Sequence, residues 1–74
     1  MRAQDLEKHK IYRNRLDVKV PLMFTGNIQD DGEALYALFT PVKTKTNKNW
    51  FDTLPVVSKN FHPEFGNSYI EEAK

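Results

Sequence analysis

The sequence predicts an α+β domain: an N-terminal helix, a small three-stranded antiparallel β-meander and a short helical turn at the C-terminus. Three observations lead there. Residues 16–24 alternate, with Leu16, Val18, Val20, Leu22 and Phe24 on one side of a strand and Asp17 and Lys19 on the other. Residues 34–44 are apolar on both faces, Leu35, Ala37 and Phe39 on one and Tyr36, Leu38 and Val42 on the other, as in a strand covered on both sides. Residues 6–13 are rich in helix formers, with Asp5 placed to cap them.

Each element has its own signal. In the first fifteen residues, Leu6, His9, Tyr12 and Leu16 fall near one helical stripe. That stripe is narrow, so the helix is expected to dock lightly and to present Lys8, Lys10, Arg13 and Arg15 to a partner. The first strand, residues 16–25, contains Pro21. A proline cannot donate a ladder hydrogen bond, which places this strand at a sheet edge or makes it irregular there. Asp30-Asp31-Gly32 is turn chemistry, with carboxylates that accept local backbone bonds and a glycine that tolerates positive φ. The second strand, residues 34–44, is expected in the centre. A turn at Asn47 and Asn49 leads to a third strand over residues 50–57, which Pro55 marks as an edge. Ser68-Tyr69-Ile70-Glu71 has the spacing of a capping box and suggests the closing helical turn. The expected core is Val18, Val20, Leu22, Phe24, Leu35, Ala37, Phe39, Leu54 and Val56.

With 74 residues the chain reads as one domain, residues 1–74. Such a domain buries only about 60% of the surface its unfolded chain exposes. Nine aromatic side chains can compensate for the small size, since each buries about 150–250 Å². Phe61 and Phe65 are expected to close the open face of the sheet. Cysteine is absent, so neither disulfides nor thiolate metal sites are available, and a reducing, cytoplasmic location is expected. The N-terminal sequence has no apolar stretch of the signal-peptide kind, and the longest apolar run, residues 20–24, is far short of the roughly 20 residues a membrane helix needs.

Net charge is +1, unevenly spread. Residues 1–19 sum to +3, residues 20–42 to −3, residues 43–59 to +3 and residues 60–74 to −2. Two basic blocks thus bracket an acidic loop, the ordinary pattern of solvated faces unless the fold merges them into one patch.

The chemistry-bearing residues are few. Two histidines, His9 and His62, lack metal-ligand spacing, and the acidic group Asp30, Asp31 and Glu33 is explained by its turn; no metal or cofactor is expected. Ser58 and Ser68 lie in no nucleophile motif, no glycine-rich phosphate loop follows a strand, and His62 beside Glu64 is a pair in sequence without geometry. The chain is therefore read as non-catalytic. Two binding functions follow. The first is a small protein that modulates a larger protein partner, in the manner of a bacterial or bacteriophage regulator or inhibitor, with Lys8, Lys10, Arg13, Arg15 and the aromatic Tyr69 as contacts. The alternative is a single-stranded nucleic-acid binder that sets Lys43, Lys45 and Lys48 against phosphates and stacks bases on Trp50 or Phe51. The two proline-bearing edges also suggest a homodimer.

Overall fold

A computed structural model of the chain describes residues 1–42 and 57–73. Its described residues form an antiparallel sheet of five strands and a single 3-10 turn, Ala3–Asp5. The strands are β1 (Ile11–Asn14), β2 (Asp17–Asp30), β3 (Leu35–Pro41), β4 (Val57–Phe61) and β5 (Ile70–Glu72), in the spatial order β4-β3-β2-β1-β5. The α+β expectation is thereby overturned: the domain is a β-sheet whose last strand returns to pair with its first.

The predicted N-terminal helix is replaced by a turn and a strand. Helix propensity in residues 6–13 is a weak local preference, and an isolated helix of that length is marginal in water. The chain gains more from the sheet. Glu7 to Lys10 form a turn closed by the Lys10 N–H to the Glu7 carbonyl, with His9 at φ +68°. The Glu7 N–H donates to the Tyr12 hydroxyl at 2.8 Å, and Tyr12 itself is fully buried. Ile11-Tyr12-Arg13-Asn14 then pairs on both edges, with β2 and with β5. The Asn14 side chain accepts the Leu16 N–H at 2.9 Å, which bends the chain tightly into β2. Leu16 sits in that turn and is 74% exposed, not on the inward face.

β2 lies inside the sheet between β1 and β3, and accommodates Pro21 by irregularity. Pairing with β1 passes from Asn14↔Asp17 to Tyr12↔Leu22, so Pro21 falls where that ladder is interrupted, while its carbonyl accepts the Val42 N–H at 2.9 Å. A second shift, between Phe24↔Phe39 and Ile28↔Ala37, bulges β2 around residues 25–27. β3 keeps the expected alternation, with Ala37, Phe39 and Pro41 buried. β4 takes up where the described chain resumes, and the part of the expected third strand over residues 50–56 lies outside the described residues.

The C-terminal helical turn is also corrected. Asn67 accepts the Tyr69 N–H through its side chain at 2.8 Å, and the Arg15 N–H holds the Tyr69 carbonyl at 2.6 Å. These contacts deliver Ile70 in extended form opposite Asn14. The spacing of a capping box was matched by a strand because Ile70 has an apolar site to fill: it is 2% exposed.

The core is Ala3, Leu6, Tyr12, Leu22, Phe24, Ala37, Phe39, Phe61 and Ile70, with Met1, Leu35 and Val57 packed at its margin. Phe39 is its centre, edge-on to Tyr12 at 6.2 Å and tilted against Phe24 at 5.7 Å. Val18, Val20, Leu54 and Val56 fall outside the described side chains.

Candidate functional site

The sheet brings the β2–β3 loop, the end of β4 and the β4–β5 connection to one side of the molecule. There they surround a depression of about 530 Å³, within the range of ligand-sized clefts. Asp31 and Glu33 line it from the β2–β3 loop, Tyr36 and Asn60 from adjacent positions of β3 and β4, and His62 and Tyr69 from the β4–β5 connection.

The acidic rim is built by local hydrogen bonds. Asp30 accepts the Gly32 N–H at 2.8 Å, and a single oxygen of Asp31 accepts the N–H groups of Glu33 at 2.9 Å and Ala34 at 2.8 Å. Gly32 closes the turn at φ +93°, a conformation that favours glycine. The N–H groups of Ala34 and Glu33, with a smaller contribution from the Tyr36 hydroxyl, hold the Asp31 carboxyl below its ordinary value of 3.8. Conversely, the Asp31 charge, burial and the Glu33 charge raise the Tyr36 phenol above 10.0. The two shifts describe one negative field over the β3 tyrosine.

The opposite rim is a small hairpin. His62 and Gly66 exchange backbone hydrogen bonds at 3.0 and 2.8 Å. The His62 Nδ1 accepts the N–H groups of Glu64 at 3.1 Å and Phe65 at 3.2 Å, and its ring stacks on Phe65 at 4.8 Å. The Glu64 carboxylate therefore does not orient His62 through Nδ1. The Asn67 amide donates to the Asn60 carbonyl at 2.9 Å and anchors this hairpin to β4. Met1 lies beneath it, with its carbonyl accepting the Asn67 N–H at 2.8 Å, and Arg2 donates to the Glu64 carbonyl at 3.1 Å. The hairpin carries Phe65 into solvent at 76% exposure, and Tyr69 beyond it is 49% exposed. Phe61 closes the core as expected; Phe65 does not.

The basic contact residues expected from the sequence divide between two situations. Lys10 pairs with Glu72 at 2.6 Å and with Glu7 at 3.0 Å, and Arg13 pairs with Glu71 at 2.7 Å. Hydrogen bonds to Glu72 of β5, first, and to Glu7 of the preceding turn raise the Lys10 ammonium above its ordinary range. Arg13 and Glu71 thus tie β1 to β5, and Lys10 ties the turn before β1 to the same strand. Lys8 and Arg15 are exposed, and the Lys8 side chain lies over Gly26. The alternative nucleic-acid residues Lys43, Lys45, Lys48, Trp50 and Phe51 lie outside the described residues.

Among the described residues, Tyr69 is the one expected contact that lines the depression. Tyr36, Asn60 and Asp31 join it only through the fold, although the acidic loop and the apolar outer face of residues 36–38 were legible signals. Among the described residues, no group of three or more metal-ligating side chains converges, and no helix is long and apolar enough to cross a membrane. Comparisons with protein families, curated proteins and solved structures find no match to this chain.

Proposed function

We propose that this chain is a non-catalytic binding domain that modulates a larger protein partner by occupying part of its surface. The observation that carries this reading is the display of Phe65 at 76% exposure beside the half-exposed Tyr69, on a hairpin secured by backbone and side-chain hydrogen bonds. Leaving a phenylalanine largely in water forgoes much of the roughly 1.5–3 kcal/mol its burial would supply, and its stacking on His62 covers only one face of the ring. Aromatic anchors of this kind carry much of the energy in protein interfaces. The adjoining concavity supplies polar groups that would set orientation and specificity.

The contact face of this reading differs from the basic N-terminal one. Lys10 and Arg13 already have carboxylate partners, and of the expected set it is Tyr69 that stands beside the exposed Phe65, while Lys8 and Arg15 remain exposed but do not line the depression. The test is capture from a lysate of the source cells, quantified for the native chain and for Phe65→Ser and Tyr69→Ala. A partner retained by the native chain and lost with both variants supports the reading. Retention unchanged by either substitution refutes it. Homodimerisation through the same aromatic face is the competing outcome, and sedimentation equilibrium identifies it as a mass twice that of the chain that collapses in Phe65→Ser.

A further inference from the structure

The partner's chemistry can be narrowed from the depression itself, given the docking face proposed above. Its lining combines two carboxylates, Asp31 and Glu33, with two phenol rings, Tyr36 and Tyr69, and among the described residues contains no lysine or arginine. Two backbone N–H groups converge on one Asp31 oxygen and favour its ionised form. No ion pair among the described residues engages Asp31 or Glu33; those present link Lys10 and Arg13 to Glu7, Glu71 and Glu72.

We propose that this depression receives the guanidinium of an arginine side chain presented by the partner protein. A guanidinium matches each part of the lining. It is permanently charged, it can offer paired N–H donors to a carboxylate, and its plane stacks on aromatic faces. An ammonium satisfies only the charge. A nucleic-acid strand fits poorly, since its phosphates would meet Asp31 and Glu33. A hard cation lacks ligands, because no third metal-ligating side chain joins the two acids among the described residues. Tyr36 and Asn60 stand side by side on β3 and β4, so the floor of the site is sheet, while the acids lie on a loop closed by its own hydrogen bonds. The site is thus largely formed before the arginine arrives.

The probe is a blocked pentapeptide, acetyl-Gly-Ser-Arg-Ser-Gly-amide, titrated into the full chain labelled with 15N and followed by two-dimensional NMR. Its citrulline counterpart has nearly the same shape without the charge. Amide shifts concentrated at Glu33, Tyr36, Asn60, Gly66 and Tyr69 are expected, with citrulline binding weaker by about tenfold. Asp31→Asn and Glu33→Gln should each weaken the arginine peptide several-fold; the asparagine keeps an oxygen that can accept the Glu33 and Ala34 N–H groups, so the loop survives. Equal binding of the citrulline peptide, shifts centred elsewhere, or no shifts up to about 10 mM peptide would overturn the proposal. So would an oligothymidylate that produces the same shifts. If the peptide fails while Phe65→Ser still abolishes capture of the protein partner, the docking face stands and the guanidinium assignment falls. If the peptide binds but capture ignores Phe65 and Tyr69, the reverse holds.

Discussion

Replacing Gly66 by alanine tests how the hairpin under the candidate site is held. Two effects act at this position. Gly66 has φ +71°, and an L-residue there costs about 1–2 kcal/mol. An added Cβ would also stand 2.1 Å from the Met1 carbonyl oxygen, 2.6 Å from its carbon and 2.8 Å from the Arg2 Cα. All three are backbone atoms, so no rotamer change relieves the overlap, and the Met1–Arg2 segment must lift. Lifting it breaks the Asn67 N–H to Met1 carbonyl bond at 2.8 Å, the Met1 nitrogen to Asn67 carbonyl bond at 3.2 Å and the Arg2 to Glu64 bond at 3.1 Å. At about 0.5–1.5 kcal/mol each, with the exposed Arg2 bond at the low end, these contribute roughly 1.5–3 kcal/mol. The expected loss for Gly66→Ala is therefore about 2.5–5 kcal/mol, a large part of the stability of a small domain.

Gly32→Ala is the matched control, since Gly32 has φ +93° but no heavy atom within 4 Å of its added Cβ. Only the conformational cost of about 1–2 kcal/mol applies there. Urea unfolding followed by far-ultraviolet circular dichroism reads both variants. With a slope near 1 kcal/mol/M, the two midpoints should differ by about 2 M. If Gly66→Ala is unfolded without urea, sucrose restores a measurable transition for both. Coincident midpoints would refute the packing of the N-terminal segment against the hairpin and leave backbone strain as the whole effect.

Phe39→Ala should cost about 3–5 kcal/mol in the same assay, because the ring is fully buried between Tyr12 and Phe24; a loss under 1 kcal/mol would displace Phe39 from the centre of the core. Arg13→Ala should cost no more than about 1 kcal/mol, as its pair with Glu71 is partly exposed and salt-screened, and a larger loss would reveal a packing role for its stem. In Asp31→Asn the Tyr36 phenol should titrate closer to 10.0 than in the native chain, read from the ring carbons by NMR; an unchanged value would show that the Asp31 charge does not act on Tyr36. The lowered Asp31 carboxyl contributes stability that is fully present above 3.8 and lost as pH falls through its lower folded value. Acid titration of stability should therefore lose that component in Asp31→Asn, and an identical acid profile for the two chains would count against it.

Much of the middle of the fold is legible in the sequence because its signals are local. The alternation of residues 35–41 places Ala37 and Phe39 inside, and Asp30-Asp31-Gly32 turns as its side-chain acceptors and positive φ require. Leu22 and Phe24 share the inward face for the same periodic reason. The two ends of the chain were decided by contacts distant in sequence. Residues 11–14 become a strand because β2 and β5 offer hydrogen bonds on both sides and Tyr12 finds a buried site, gains that outweigh a helix propensity of tenths of a kcal/mol per residue. Residues 70–72 extend because β1 is waiting for them, so a motif spaced for a helix cap serves as the entry to a strand. The depression likewise gathers Asp31, Tyr36, Asn60 and Tyr69 from segments up to 38 positions apart, and Lys10 and Arg13 find Glu72 and Glu71 across the closing pair. Composition and periodicity determine which side chains can be buried; only the pairing of the first strand with the last determines which charges are spent inside the molecule and which are left facing outward.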